Sequence, residues 1–126
     1  MSYNLLIVDD SSIIRKSIKK TLALTDVDLG EIIEAENGQV ALDKLKDNWV
    51  DLIFLDINMP VMNGIEFVEA LRKDNELKNT PVVIISTEGS QERIQRLMEL
   101  EVKDYLRKPV TPEAVCESIE SILGDK

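Results

Sequence analysis

The chain contains no histidine, so any chemistry it performs must use carboxylates, hydroxyls, amines or a metal held by oxygen. General-base histidine catalysis and imidazole-ligated zinc are thereby excluded. Asp9 and Asp10 stand directly after an apolar run, and Asp56 ends another. The hydroxyl of Ser86 closes "VVIIS", and the amine of Lys108 follows "DYLR" and precedes Pro109. Three carboxylates gathered in one crevice would repel one another and raise their own pKa values unless a cation neutralised them. A hard divalent ion such as Mg²⁺, which keeps several waters and completes its shell with a phosphoryl oxygen, meets that need. Lys108 would neutralise further charge on a transferring phosphoryl group while Ser86 donates a hydrogen bond to it. Asp56 would then be the nucleophile that becomes an aspartyl-phosphate. Each residue taken singly has a plainer reading. Asp9 and Asp10 would cap a helix, Asp56 would be a loop acid, Ser86 a strand-end hydroxyl and Lys108 a surface charge. The decision between the two readings rests on whether the fold brings these residues together.

Short apolar runs alternate along the chain with longer stretches of helical period. "NLLIV" (4–8), "EIIEA" (31–35), "LIFLD" (52–56), "VVIIS" (82–86) and "DYLR" (104–107) read as strands. The first, third and fourth are almost wholly apolar, as expected of strands buried on both faces of a parallel sheet. Between them, Ile13, Ile14, Ile18 and Leu22; Val40, Ala41 and Leu45; Ile65, Phe67, Val68 and Leu71; Ile94, Leu97 and Met98; and Val115, Ile119, Ile122 and Leu123 recur at helical spacing. Five strands alternating with five helices predict a doubly wound α/β sheet. The half-polar second strand and the short, charged fifth are the natural edges, giving the flavodoxin-like (βα)5 order 2-1-3-4-5. Ligands of such folds bind beyond the carboxyl ends of the strands, at the switch between strands one and three. Asp9, Asp10, Asp56, Ser86 and Lys108 all fall there.

The length of 126 residues suits one domain spanning 1–126. With 24 acidic against 15 basic residues the net charge is −9, which would repel a nucleic acid. No apolar run reaches the ~18 residues of a membrane span, and the N-terminus lacks a signal-peptide pattern, so a cytoplasmic location is expected. The single cysteine, Cys116, reads as a buried, inert thiol, and Trp49, placed before strand three, as a packing residue.

"IVDDSS", "LIFLDINMPVMNG", "VVIIST" and "YLRKPVT" together resemble the response-regulator receiver domain of two-component signalling, over essentially the whole chain. The resemblance implies that Asp56 is the phosphoacceptor and that Asp10, Asp56 and the backbone carbonyl of Asn58 ligate Mg²⁺, with Asp9 acting through a water. It implies that Ser86 is a switch hydroxyl, Lys108 the phosphate partner and Tyr105 a switch aromatic turning inward when Ser86 is drawn to the phosphate. It places Pro109 after a cis peptide bond, and it makes Asn58 and Glu88 the positions that tune how long the phosphoryl group lasts. The implied partners are a sensor histidine kinase or phosphotransfer protein and a protein target, with no membrane and no direct nucleic acid; phosphorylation-dependent dimerisation is left open. Such a protein is not an enzyme in the ordinary sense, since it catalyses only its own phosphorylation and dephosphorylation.

The chain departs from the family pattern at two places. Asn63 stands where aspartate is frequent, and Glu101 and Val102 replace the small pair that usually precedes strand five. Pro60 is expected to stiffen the loop after Asp56 and Gly64 to permit the turn into the third helix. Arg93, Arg96, Lys103 and Arg107 form either a basic docking patch around the fourth helix and fifth strand or an ordinary solvated face. Two other functional readings stand beside a stand-alone, chemotaxis-like receiver. One is a receiver from a longer regulator, which the linker-free ending "GDK" does not favour. The other is a haloacid-dehalogenase-like phosphatase, whose nucleophile would lie on strand one in a DxD pattern rather than the "DD" present in this chain.

Overall fold

The computed structural model describes residues 2–87 and 90–124. Ten elements alternate along the chain: β1 (Tyr3–Val8), α1 (Ser12–Ala23), β2 (Leu29–Ala35), α2 (Gly38–Asp47), β3 (Leu52–Leu55), α3 (Gly64–Lys73), β4 (Val82–Ser86), α4 (Gln91–Glu99), β5 (Asp104–Arg107) and α5 (Pro112–Leu123). The strands form one parallel sheet in the order β2-β1-β3-β4-β5, as the sequence predicts. Asp56 lies one residue beyond β3 rather than at its end, and β2 begins two residues earlier than its apolar run.

Why the central strands are apolar throughout is visible in the two cores. Alternate side chains of a strand point to opposite faces. Leu6 and Val8 of β1, Ile53 and Leu55 of β3 and Ile84 of β4 pack under Ala41, Leu45, Phe67, Val68, Leu71 and Leu97 of α2, α3 and α4. Leu5, Ile7, Leu52, Phe54, Val83 and Ile85 face the other way, against Ile18, Leu22, Val115 and Ile119 of α1 and α5. Every residue of β3 and β4 is buried, whereas no residue of the edge strand β5 is.

Helix starts follow local chemistry. Ser11, Asn37, Asn63, Ser90 and Thr111 each accept a hydrogen bond from a backbone N–H of the first turn, a contact worth about 1 kcal/mol apiece. At α3, Asn63 and Glu66 complete a reciprocal capping box. Asn63 thus suits the cap, which explains why aspartate is dispensable there.

Three sequence expectations are corrected. Trp49 is not packing: it is 76% exposed, with its indole N–H on the carboxylate of Asp51. Ile13 (76% exposed) and Met98 (51%) lie off the buried stripes of their helices. Cys116 is half-buried rather than buried, and desolvation still pushes its thiol pKa up. Gly64 serves the turn into α3 by close approach rather than by an unusual φ, because a Cβ there would meet the Asp56 carbonyl oxygen at 2.5 Å and the Ile57 Cα at 2.9 Å.

Positive φ falls instead at Val61 (69°) and Glu101 (66°). Val61 is the centre of a γ-turn closed by the Met62 N–H on the Pro60 carbonyl at 2.7 Å, a strained conformation for a β-branched residue. Glu101 occupies the left-handed position after α4, where glycine is favoured, with Val102 N–H bonded to the Leu97 carbonyl at 3.2 Å. The turn is braced from below. Arg72 of α3 donates to the carbonyls of Leu100 (2.7 Å), Thr80 (2.9 Å), Lys78 (3.0 Å) and Glu101 (3.3 Å).

Candidate functional site

The carboxyl ends of β1, β3, β4 and β5 carry Asp9, Asp56, Ser86 and Lys108, and these four meet in one crevice. Asp9 and Asp56 are 2% and 7% exposed, a degree of burial carboxylates tolerate only with partners. Lys108 Nζ lies 2.7 Å from Asp9 Oδ2 and 3.6 Å from Asp56 Oδ2, and so bridges the two. Backbone hydrogen bonds hold the strand ends in place: Asp56 N–H to the Val8 carbonyl at 2.9 Å, Asp9 N–H to the Ala35 carbonyl at 3.1 Å, and Lys108 N–H to the Ser86 carbonyl at 3.2 Å. The Lys108–Pro109 peptide bond is cis.

Asp9 does not cap α1; Ser11 does. The Asp9 carboxylate accepts from the Ser11 N–H at 2.9 Å while its other oxygen takes Lys108. Arg15 of α1 donates to the Asp9 backbone carbonyl and, at 2.8 Å, to Glu34 of β2, which fastens the loop from outside. That hydrogen bond holds the Glu34 carboxyl below its usual range. Asp10 stands at the exposed mouth of the crevice.

One Asp56 oxygen accepts the Ile57 N–H at 2.8 Å, leaving the other toward Lys108. Burial raises the Asp56 pKa above the ordinary carboxylate value; Lys108 opposes the shift, the negative charge of Asp9 adds to it, and the Ile57 N–H and the Ser86 hydroxyl, hydrogen-bonded to the carboxylate, oppose it. The crevice therefore holds more negative charge than its one lysine neutralises. Asp9, Asp10 and Asp56 each offer a carboxylate oxygen, and these oxygens lie within 4.8 Å of one another. The set is all hard oxygen and net anionic, and it fits a small divalent cation such as Mg²⁺.

The remaining positions lie around this centre. Asn58, exposed two residues after Asp56, receives a hydrogen bond from Arg93 of α4 on its side-chain oxygen. Glu88 lies outside the described residues. The ring of Tyr105 packs against the core beneath α2, α3 and α4, with its hydroxyl buried and lacking a hydrogen-bond partner among the described residues. The basic patch is half consumed by internal contacts, since Arg96 pairs with Glu69 at 2.8 Å and Arg93 with Asn58, whereas Lys103 and Arg107 are exposed. Sequence reasoning missed the Arg93–Asn58 and Arg72 contacts, because both join residues distant along the chain through side chains that carry no local motif.

The model of the response regulator receiver domain family matches residues 5–120. The chemotaxis protein CheY1 of Helicobacter pylori is 39% identical over 121 residues, covering 95% of this chain and 96% of that protein. A CheY homolog of Campylobacter jejuni is 38% identical, covering 95% and 92%. Among solved structures, the Vibrio cholerae chemotaxis protein CheY4 superposes with a TM-score of 0.86 at 35% identity, covering 98% of this chain and all of that one. With strand order, crevice and these likenesses in agreement, the chain belongs to the response regulator receiver domain family and is a receiver similar to the CheY chemotaxis proteins.

Proposed function

We propose that the protein is a phosphoacceptor switch in which Asp56 takes a phosphoryl group from the phosphohistidine of a sensor kinase or phosphotransfer protein. The observation that carries the reading is the meeting of a buried carboxylate, a lysine and a hydroxyl at the ends of three strands, with two further acids beside them. The Ile57 N–H fixes one oxygen of Asp56 and so aims the other into the crevice. With an acyl phosphate as donor, that oxygen bonds to phosphorus as the donor's P–O bond breaks, and a carboxylate such as acetate leaves. Lys108 neutralises charge on the transferring group, and the Ser86 hydroxyl hydrogen-bonds one of its oxygens. Asp10, Asp56 and the backbone carbonyl of Asn58 would hold Mg²⁺, with Asp9 reached through a water; when bound, the ion supplies charge neutralisation for phosphoryl transfer.

The same roles give a switch. A phosphoryl group adds roughly two negative charges, and movement of Ser86 toward it, with Tyr105 filling the space, connects the crevice to the face formed by α4, β5 and α5. A protein target docks on that face. The relatives' names point to chemotaxis as the process, and we place the protein in the cytoplasm. We assign residues 1–126 to one receiver unit that transforms no free substrate and modifies only itself.

Incubation with acetyl phosphate, with and without Mg²⁺, tests the assignment. A phosphoryl adduct should appear in intact mass spectra only with the metal and be absent from Asp56→Asn. Turnover of a free phosphoester would instead support a phosphatase.

A further inference from the structure

The three acids of the crevice are not held alike. Asp9 gives one oxygen to the Ser11 N–H and the other to Lys108, and Asp56 gives one to the Ile57 N–H. Asp10 is exposed, and its carboxylate has no hydrogen bond or ion pair among the described residues. An oxygen of Asp10 nevertheless lies within 4.8 Å of oxygens of the other two. Its direction is therefore set by the backbone that carries it, above all by the plane of the Asp9–Asp10 peptide.

That plane is referenced to β2 from both sides of Asp9. Glu34 and Ala35 of β2 stand in register with Ile7 and Val8 of β1. The Asp9 N–H donates directly to the Ala35 carbonyl at 3.1 Å. The Asp9 carbonyl is reached through Arg15, whose Nε donates to Glu34 Oε1 at 2.8 Å while Nη1 donates to that carbonyl. Lys19 takes the other Glu34 oxygen at 3.1 Å, so both oxygens of the anchor are held. A guanidinium is a rigid plane with donors at fixed angles, and two bonded donors carry the position of β2 to the Asp9–Asp10 peptide. By charge alone the same group is unwelcome, because a cation bonded beside three clustered acids disfavours a second cation among them. What Arg15 offers a metal site is geometry.

We propose that Arg15, anchored by Glu34, is a positioning residue for the metal site: it fixes the Asp9–Asp10 peptide so that the Asp10 carboxylate faces the crevice before Mg²⁺ arrives. This role presupposes the reading of Asp9, Asp10 and Asp56 as a Mg²⁺ site. Groups that orient metal ligands without touching the ion are typically worth roughly ten- to a hundredfold in affinity.

The test titrates MgCl2 into the metal-free full chain as wild type, Arg15→Met, Arg15→Lys and Lys19→Met, reading amide NMR shifts around Asp10 and Asp56. Denaturant titration checks that each variant is folded. Arg15→Met should bind Mg²⁺ about tenfold more weakly than wild type, and Arg15→Lys, whose ammonium lacks the rigid fork, should fall between them. Lys19→Met, with the same loss of charge but its contact on Glu34 alone, should bind as wild type does. Loading from acetyl phosphate should show the split expected of positioning: Arg15→Met needs more Mg²⁺ to reach half its maximal rate, and that maximal rate stays close to wild type. Unchanged or tighter binding in Arg15→Met, the direction that loss of a nearby positive charge gives by itself, would overturn the proposal, as would equal weakening in Lys19→Met. If Arg15→Met does not fold, Arg15→Lys decides: weaker binding upholds the role and wild-type binding overturns it. A wild-type chain without Mg²⁺-dependent shifts would overturn the metal site and the role of Arg15 together, an outcome distinct from normal wild-type binding with an unaffected Arg15→Met.

Discussion

The end of β3 and the body of α4 lie on either side of the same loop and are built on opposite terms. β3 is buried at every residue, flanked by β1 and β4, and delivers Asp56 onto a frame of backbone hydrogen bonds. α4 buries one residue, Leu97, and carries polar ties from Arg93 and Arg96 to neighbouring elements. The difference separates the tasks of a switch. Phosphoryl transfer needs groups held to within fractions of an ångström, and the strand ends supply that rigidity. A readout needs an element with two arrangements close in energy, and a helix held by exchangeable polar contacts supplies it.

The largest expected effect tests the rigid side. Asp56→Asn should abolish adduct formation outright, and Lys108→Ala should slow loading from acetyl phosphate by about a hundredfold, the scale of losing one charge-stabilising group, as followed by mass spectrometry over time. Next comes Gly64→Ala. Its new Cβ would strike the backbone of Asp56 and Ile57, neither of which is a flexible side chain, so denaturant titration should show a loss of about 2–4 kcal/mol. On α4 the comparison sharpens: Leu97→Ala should cost about 2–3 kcal/mol and Met98→Ala less than about 1, because only the former is buried. A costly Met98→Ala would break the view of α4 as lightly packed.

A smaller effect depends on pH. Because burial raises the Asp56 pKa, the folded state binds this proton more tightly than the unfolded chain does. That contribution to stability is present at pH below the ordinary value of 3.8 and is lost as pH rises through the raised value. In metal-free buffer, Asp56→Asn and wild type should therefore melt alike in acid, with the variant melting higher at neutral pH and Mg²⁺ closing the gap. Smaller than the Leu97 truncation, Glu101→Gly should raise stability by about 1 kcal/mol in the same melts, since glycine suffers no strain in the left-handed position after α4.

The sheet order was legible because burial on both faces leaves a direct mark on composition: β1, β3 and β4 are apolar where β2 and β5 are mixed. The meeting of Asp9, Asp56, Ser86 and Lys108 was legible for a related reason, since strand ends in a parallel sheet share one edge and each residue directly follows its strand. Helix faces were read less well. Ile13 and Met98 have the right residue type but sit just off the buried stripe, a rotation that composition does not encode. Trp49 was misread from its place before strand three, where its ring in fact lies exposed. The Arg72 and Arg93 contacts left no trace, because a long cationic side chain can reach partners in many directions and only the assembled fold selects one.

The four-carbonyl grip of Arg72 has a mechanical consequence. It locks the carboxyl end of α4, the loop before β4 and the last turn of α3 into one block, so the far end of the helix has little liberty to travel. Any swing of the helix would then pivot about residue 100, with displacement greatest where Ser90 begins the helix and least where it runs into β5. A target that senses such a swing gains most by touching the leading end of the helix.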